Sequence, residues 1–220
     1  MIIGVCGLIG SGKDTIADYL QNIHQFRRES FASTLKDSVA AVFGWDRELL
    51  EGRTRQSREW REQVDPWWAE RLNMPNLTPR WVLQYWGTEV VRKGFHDNTW
   101  IASLENKIRK SKDDTVISDC RFPNEIDAIK RAGGLVIRVV RGPEPEWYPL
   151  AESVNAGPAN ITWSLSKDQL AKYKVHASET AWIGTDFDAV IDNNADGMDQ
   201  LYRQINNLVL NLRAAKSDQS

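Results

Sequence analysis

The chain opens on an unbroken apolar run, MIIGVC at residues 1–6, closed by a glycine. That is the pattern of a strand buried on both faces of a parallel sheet. Residues 14–24 then place Ile16, Ala17, Leu20 and Ile23 at the spacing of one helical face. Two further apolar runs, TVIS at 115–118 and LVIRVV at 135–140, read as strands. A helix is predicted over 123–132, ended by Gly133-Gly134. A last strand at 189–191 is followed by a loop at 192–197 and an amphipathic helix carrying Leu201, Ile205, Leu208 and Leu212. Strands alternating with helices predict an α/β fold: a three-layer α/β/α arrangement around a mostly parallel sheet.

Two long stretches interrupt this pattern. Residues 35–110 read as mostly helical and hold seven of the ten tryptophans. Core packing is the expected use of any single one of them, although an indole can also stack on a nucleobase. Residues 142–180 contain four prolines and little periodicity, which predicts a mobile excursion over the sheet edge. The last residues, 214–220, are expected to be a frayed tail. The expected organisation is one domain over 1–220, with a core of 1–34, 111–141 and 181–215, a helical insertion at about 35–110 and a lid at about 142–180.

A formal net charge of −2, with 26% charged residues, gives no basis for non-specific binding to nucleic acid or an acidic membrane. No apolar stretch approaches the roughly 18 residues a membrane-spanning helix needs. No secretory signal is read at the start, so a cytoplasmic location is expected. Cys6 and Cys120 each lie in an apolar run and are read as buried, reduced thiols.

Chemistry enters between the first strand and the first helix. Residues 7–13, GLIGSGK, match G-x-x-x-x-G-K in the context that gives the motif meaning. Glycines let successive backbone N–H groups turn toward phosphate oxygens, and the following helix adds its positive end. Lys13 can reach the β- and γ-phosphates of a nucleotide. A dinucleotide loop would need G-x-G-x-x-G, which is absent; a plain structural turn is the other alternative. The position after the lysine, usually Ser or Thr with a hydroxyl on Mg²⁺, is Asp14, followed by Thr15. A carboxylate there could hold a metal but adds negative charge beside a triphosphate.

Asp119 and Arg121 follow the second apolar run, where a carboxylate can hold Mg²⁺ through water and an arginine can bridge phosphates. A strand-end salt bridge is the alternative. Arg138 lies within the third run and Arg141 at its exit; one of them could cover a nucleotide, and a surface role is the alternative. Arg53, Arg55, Arg58 and Arg61 form a basic run that is either a solvated helix face or a substrate contact. Neither a catalytic triad nor zinc-type Cys/His spacing is present.

Four further blocks carry a resemblance. Residues 31–36, FASTLK, are similar to the F-A-D-P-L-K stretch of one branch of the nucleoside monophosphate kinase superfamily. Residues 78–100, TPRWVLQYWGTEVVRKGFHDNTW, resemble the T-P-R-x-x-L-Q-x-x-G-T-E-x-x-R…W block of phage-type deoxynucleoside monophosphate kinases. SDCRFPNE at 118–125 resembles their D-x-R-F-x-N-E segment, and HASE at 176–179 their H-x-S-E element. The same branch shows Gly-Lys-Asp in its phosphate loop. The resemblance spans roughly residues 1–210.

It implies transfer of the ATP γ-phosphoryl group to a deoxynucleoside monophosphate (dNMP), with Mg²⁺. Gly10, Gly12, Lys13, Asp14 and Thr15 would then hold the ATP phosphates and metal. Gly7, Ser11 and Arg141 are added as ATP contacts, and Asp119 as a metal ligand beside Asp14, from the reading of the residues themselves. Ser33, Lys36, Arg80, Gln84, Thr88 and Arg92 would form the monophosphate site. Lys13, Asp119 and Arg121 would stand at the reaction centre. Ser33 and Thr34 replace the Asp and Pro of the family stretch, so a contact through that acid is not expected here. The relatives suggest a homodimer. Rival readings are another small-molecule kinase, such as a phosphomevalonate kinase, and an ATP-hydrolysing regulatory or packaging module.

Overall fold

The computed structural model describes residues 1–159, 161–195 and 197–217. The chain divides into two compact units, Met1–Ser30 with Ser111–Ser220, and Phe31–Lys110.

In the first unit the described residues form a five-stranded sheet of β1 (Ile2–Cys6), β2 (Arg27–Glu29), β3 (Thr115–Ile117), β4 (Leu135–Val140) and β5 (Ala189–Asp192). Its order is β2-β3-β1-β4-β5, and every pairing is parallel. All five carboxyl ends therefore lie along one edge, where open α/β sheets bind ligands. The period of two along β1 assigns its faces. Ile3 and Val5 are fully buried with Ile16, Ala17 and Leu20 of α1 (Lys13–His24) and with Leu201, Ile205 and Val209 of α12 (Asp199–Ser217). Gly4 points to the other face, where an added Cβ would come within 2.6 Å of Ile129 Cδ1. A glycine at that position lets α8 (Pro123–Arg131) seat closely on the sheet.

Strand β2 was not foreseen. Its sequence, RRE, carries no apolar run: at this edge of the sheet only Glu29 is buried. Residues 142–180 also differ from expectation: they contain helices α9 (Tyr148–Asn155), α10 (Trp163–Lys172) and α11 (Ala177–Thr180). Helix α10 buries little besides Ser166, so it leaves almost no apolar periodicity to read. The tail expected at 214–220 is helix as far as Ser217, and 218–220 lie outside the described residues, as does Asp196 of the loop at 192–197.

The second unit contains α2 (Ser33–Phe43), α3 (Arg47–Glu51), α4 (Arg55–Arg61), α5 (Pro66–Arg71), α6 (Pro79–Tyr85), a π-helix (Trp86–Lys93) and α7 (Thr99–Arg109). Short helices dominate because each is bounded by a strong cap. Asp46, Thr54, Asp65 and Thr78 all accept backbone N–H groups at helix starts. Tryptophan builds the core: Trp45 is buried with Val39, Leu50, Leu77 and Val82, and Trp60, Trp68 and Trp86 pack against them. Trp100 is also buried, and its Nε1 donates to the Gly87 carbonyl at 3.1 Å, within the π-helix. Trp67 and Trp81 are exposed.

Candidate active site

The phosphate loop joins β1 to α1 at the carboxyl edge of the sheet. Gly10 and Gly12 have φ of +79° and +105°. These values favour glycine, and Gly12 serves as the left-handed N-cap of α1. An added Cβ on Gly12 would meet Asn193 Nδ2 at 2.5 Å. That amide donates to the Ser11 carbonyl at 2.8 Å, so the exit of β5 braces the loop. Asn193 belongs to no motif, and no local pattern marks it.

Lys13 Nζ donates to the carbonyls of Gly7 and Leu8, at 2.7 and 2.8 Å, so its ammonium lies across the loop. Burial lowers its pKa, and so does the Arg121 charge; Glu179, Asp14 and Cys6 oppose the shift. Arg121 is held in turn. Its guanidinium donates to Glu179 at 2.6 Å and to Ser178 Oγ at 3.4 Å. Glu125 accepts the Arg121 backbone N–H at 2.9 Å, which fixes the turn after β3. His176 caps α11, accepting from Ser178 N at 3.2 Å. The HASE element thus has a local account: His176 starts a short helix and Glu179 orients Arg121.

Asp14 and Asp18 both accept from Arg28 of β2, and the same guanidinium reaches Ser118 Oγ at 3.1 Å. Arg28 was missed in the sequence because β2 was. Thr15 follows Asp14 on α1, and Asp119 follows Ser118 at the end of β3. Arg138 does not project freely. It pairs with Glu144 and lies 4.8 Å from the Tyr148 ring centroid and 5.8 Å from that of Trp182. Burial pushes the Tyr148 hydroxyl up to about 12, despite the opposing Arg138 charge. Arg141 is exposed at the exit of β4, on a shallow pocket shared with Leu8, Ser11 and Trp182. Cys6 and Cys120 are buried and free; burial, then Cys6, raises the Cys120 pKa.

The loop fits a phosphate group. Ser11 Oγ is buried without a hydrogen-bond partner among the described residues, and space is open around Gly10 where a side chain would stand. Among the described residues no cluster of three or more His, Cys, Asp or Glu side chains could hold a metal alone. Mg²⁺ is commonly bound by one or two carboxylates together with substrate phosphates, which Asp14 and Asp119 could supply.

In the second unit, Arg80 and Gln84 lie on α6, and Thr88 and Arg92 on the π-helix. Arg80 pairs with Glu62 at 3.1 Å, and both are exposed. Ser33 and Lys36 belong to a separate network on α2. Lys36 reaches Glu51 at 2.7 Å, Arg47 bridges Glu51 and Asp37 at 2.5 and 2.7 Å, and Lys107 reaches Ser33 Oγ at 3.1 Å. Burial works to raise the Glu51 pKa, but Lys36 and Arg47 outweigh it and hold the carboxyl at about 2. Of the basic run, Arg55 is solvated and pairs with Glu59 at 2.7 Å. Arg61 turns inward over Gly52, with its Nε buried and unpartnered among the described residues.

No protein-family model matches the chain. A protein of Acanthamoeba polyphaga mimivirus, described as a deoxynucleotide monophosphate kinase, is 35% identical over 155 residues, covering 64% of this chain and 74% of the relative. The chain belongs to the deoxynucleoside monophosphate kinase family. The deoxynucleoside-5′-monophosphate kinase of Escherichia phage T5 is 27% identical over 184 residues, covering 61% of this chain and 74% of the relative. A solved gluconokinase from Sinorhizobium meliloti covers 99% of this chain and is covered to 96%, at 15% identity and a TM-score of 0.43, a distant likeness.

Proposed function

We propose that the protein transfers the γ-phosphoryl group of Mg-ATP to the 5′-phosphate of a dNMP, giving a dNDP and ADP. The kinship with named deoxynucleoside monophosphate kinases supports the acceptor. The observation that carries the chemistry is the convergence of Lys13, Arg121 and Glu179 beside a phosphate loop.

An acceptor phosphate already carries an anionic oxygen, so no protein nucleophile is needed, and catalysis is positioning plus charge stabilisation. Gly7, Gly10, Ser11 and Gly12 would cradle the ATP phosphates through the backbone, with Thr15 beside them. Lys13 and Arg121 would neutralise charge on the moving group. Mg²⁺, held by Asp14 and Asp119, would screen the phosphates. Arg141 and its pocket would receive the nucleoside of ATP, and residues 142–180 would act as a lid that excludes water. Ser33, Lys36, Arg80, Gln84, Thr88 and Arg92 would bind the acceptor.

The test is whether ADP release depends on an added dNMP. Release that follows dNMP concentration supports the reading. Equal release without any acceptor would instead favour an ATP-hydrolysing module.

A further inference from the structure

The phosphate loop places Asp14 where its negative charge opposes a bound triphosphate. Its side chain is 82% exposed, while that of its partner Arg28 is only 12% exposed. Arg28 is thus a largely sequestered guanidinium reaching out to the first turn of α1. It is fixed from other sides by Asp18, one helical turn further along α1, and by Ser118 Oγ at the end of β3. The Asp14 contact uses Oδ1.

We propose that Arg28 is a positioning residue for nucleotide binding. It neutralises the Asp14 carboxylate and holds it at one angle, so that the loop tolerates an acid beside the triphosphate. This rests on the phosphate loop being the ATP site. An unpaired carboxylate near a polyanion costs binding energy that an adjacent cation removes. A guanidinium suits the task because its fork serves several acceptors at once and it stays charged. One guanidinium therefore joins the loop helix, the edge strand and the strand end that carries Asp119.

A double-mutant cycle on ATP binding tests this, with the dissociation constant read by calorimetry in EDTA and again with Mg²⁺. Metal-free ATP binding by the unaltered protein is the reference; its failure would count against the ATP site itself rather than against Arg28. Arg28→Met is expected to weaken metal-free ATP binding by about tenfold, the scale of one lost charge contact near a surface. In an Asp14→Asn background the same change should cost less than about threefold. Arg28→Lys should recover part of the loss. A loss of equal size in the Asp14→Asn background would overturn the proposal. Coupling to Asp18→Asn in place of Asp14→Asn would also overturn it, since Arg28 would then only staple α1 to the sheet. Should Arg28→Met fail to fold by circular dichroism, the cycle is run with Arg28→Gln, which also removes the charge, against the same two backgrounds and with the same criteria.

Discussion

Arg121 and Glu179 lie 58 positions apart in sequence and meet at 2.6 Å. The arginine extends from the turn after β3, and the glutamate comes from the short helix that His176 caps. Both groups act on Lys13: Arg121 lowers its pKa, and Glu179 opposes that. A charge-assisted pair of this kind fixes a guanidinium in place while leaving it further donors for a ligand.

Glu179→Gln should therefore reduce kcat about tenfold while the KM for ATP changes much less, because the contact it loosens counts most as charge develops. A pH effect should accompany it. Glu179 opposes the lowering of the Lys13 pKa, so its removal lets that pKa fall further below 10.5. The alkaline loss of ATP binding should move to lower pH in the variant. An unchanged pH profile would separate Glu179 from the Lys13 environment.

Gly12→Ala should cost about 1–2 kcal/mol through the left-handed backbone alone, and the contact with Asn193 adds to it. A lowered Tm together with loss of ATP binding is expected. Asn193→Ala, which removes the brace but leaves the glycine, should weaken ATP binding with a smaller change in Tm.

Glu51 makes stability depend on acidity. Its folded pKa of about 2 lies below the ordinary 4.5, so its contribution is fully present above pH 4.5 and is lost as pH falls through about 2. Glu51→Gln should destabilise the protein by about 1–2 kcal/mol at pH 7 in urea titrations, with the gap narrowing between pH 4.5 and 2. A gap that stayed constant with pH would place the effect in packing.

Arg80→Ala should raise the KM for the monophosphate several-fold more than the KM for ATP. Its ion pair with Glu62 is exposed, so little stability should go with it. Equal effects on both substrates would remove Arg80 from the acceptor site.

The sequence was legible where burial forces a period. Strands β1, β3 and β4 are apolar runs because a central parallel strand is covered on both faces. Strand β5, at the edge, still reads through Ala189, Val190 and the buried Ile191, and α1, α8 and α12 show a single apolar stripe. The phosphate loop was legible because its glycines answer to backbone geometry. Strand β2 was not: RRE has no apolar side chain, and its charges are absorbed by ion pairs such as Arg27 with Glu29 at 2.5 Å. Helix α9 has Pro149 in its first turn and α10 buries only Ser166, so both read as loop. Arg28, Asn193 and the Arg121–Glu179 pair act across the fold, and no local pattern marks a partner so far away in sequence. The network of Lys36 with Glu51 and Arg47 was hidden for the same reason.

The identity of the acceptor separates a deoxynucleoside monophosphate kinase from its rivals. The purified protein would be incubated with Mg-ATP and, separately, each of the four dNMPs, the four NMPs and phosphomevalonate, with Lys13→Ala as the control, and the products resolved by chromatography. Formation of dNDPs, with NMPs poorer and the control inactive, is the expected result. Turnover of phosphomevalonate alone, or ATP loss with no phosphorylated acceptor, would contradict it.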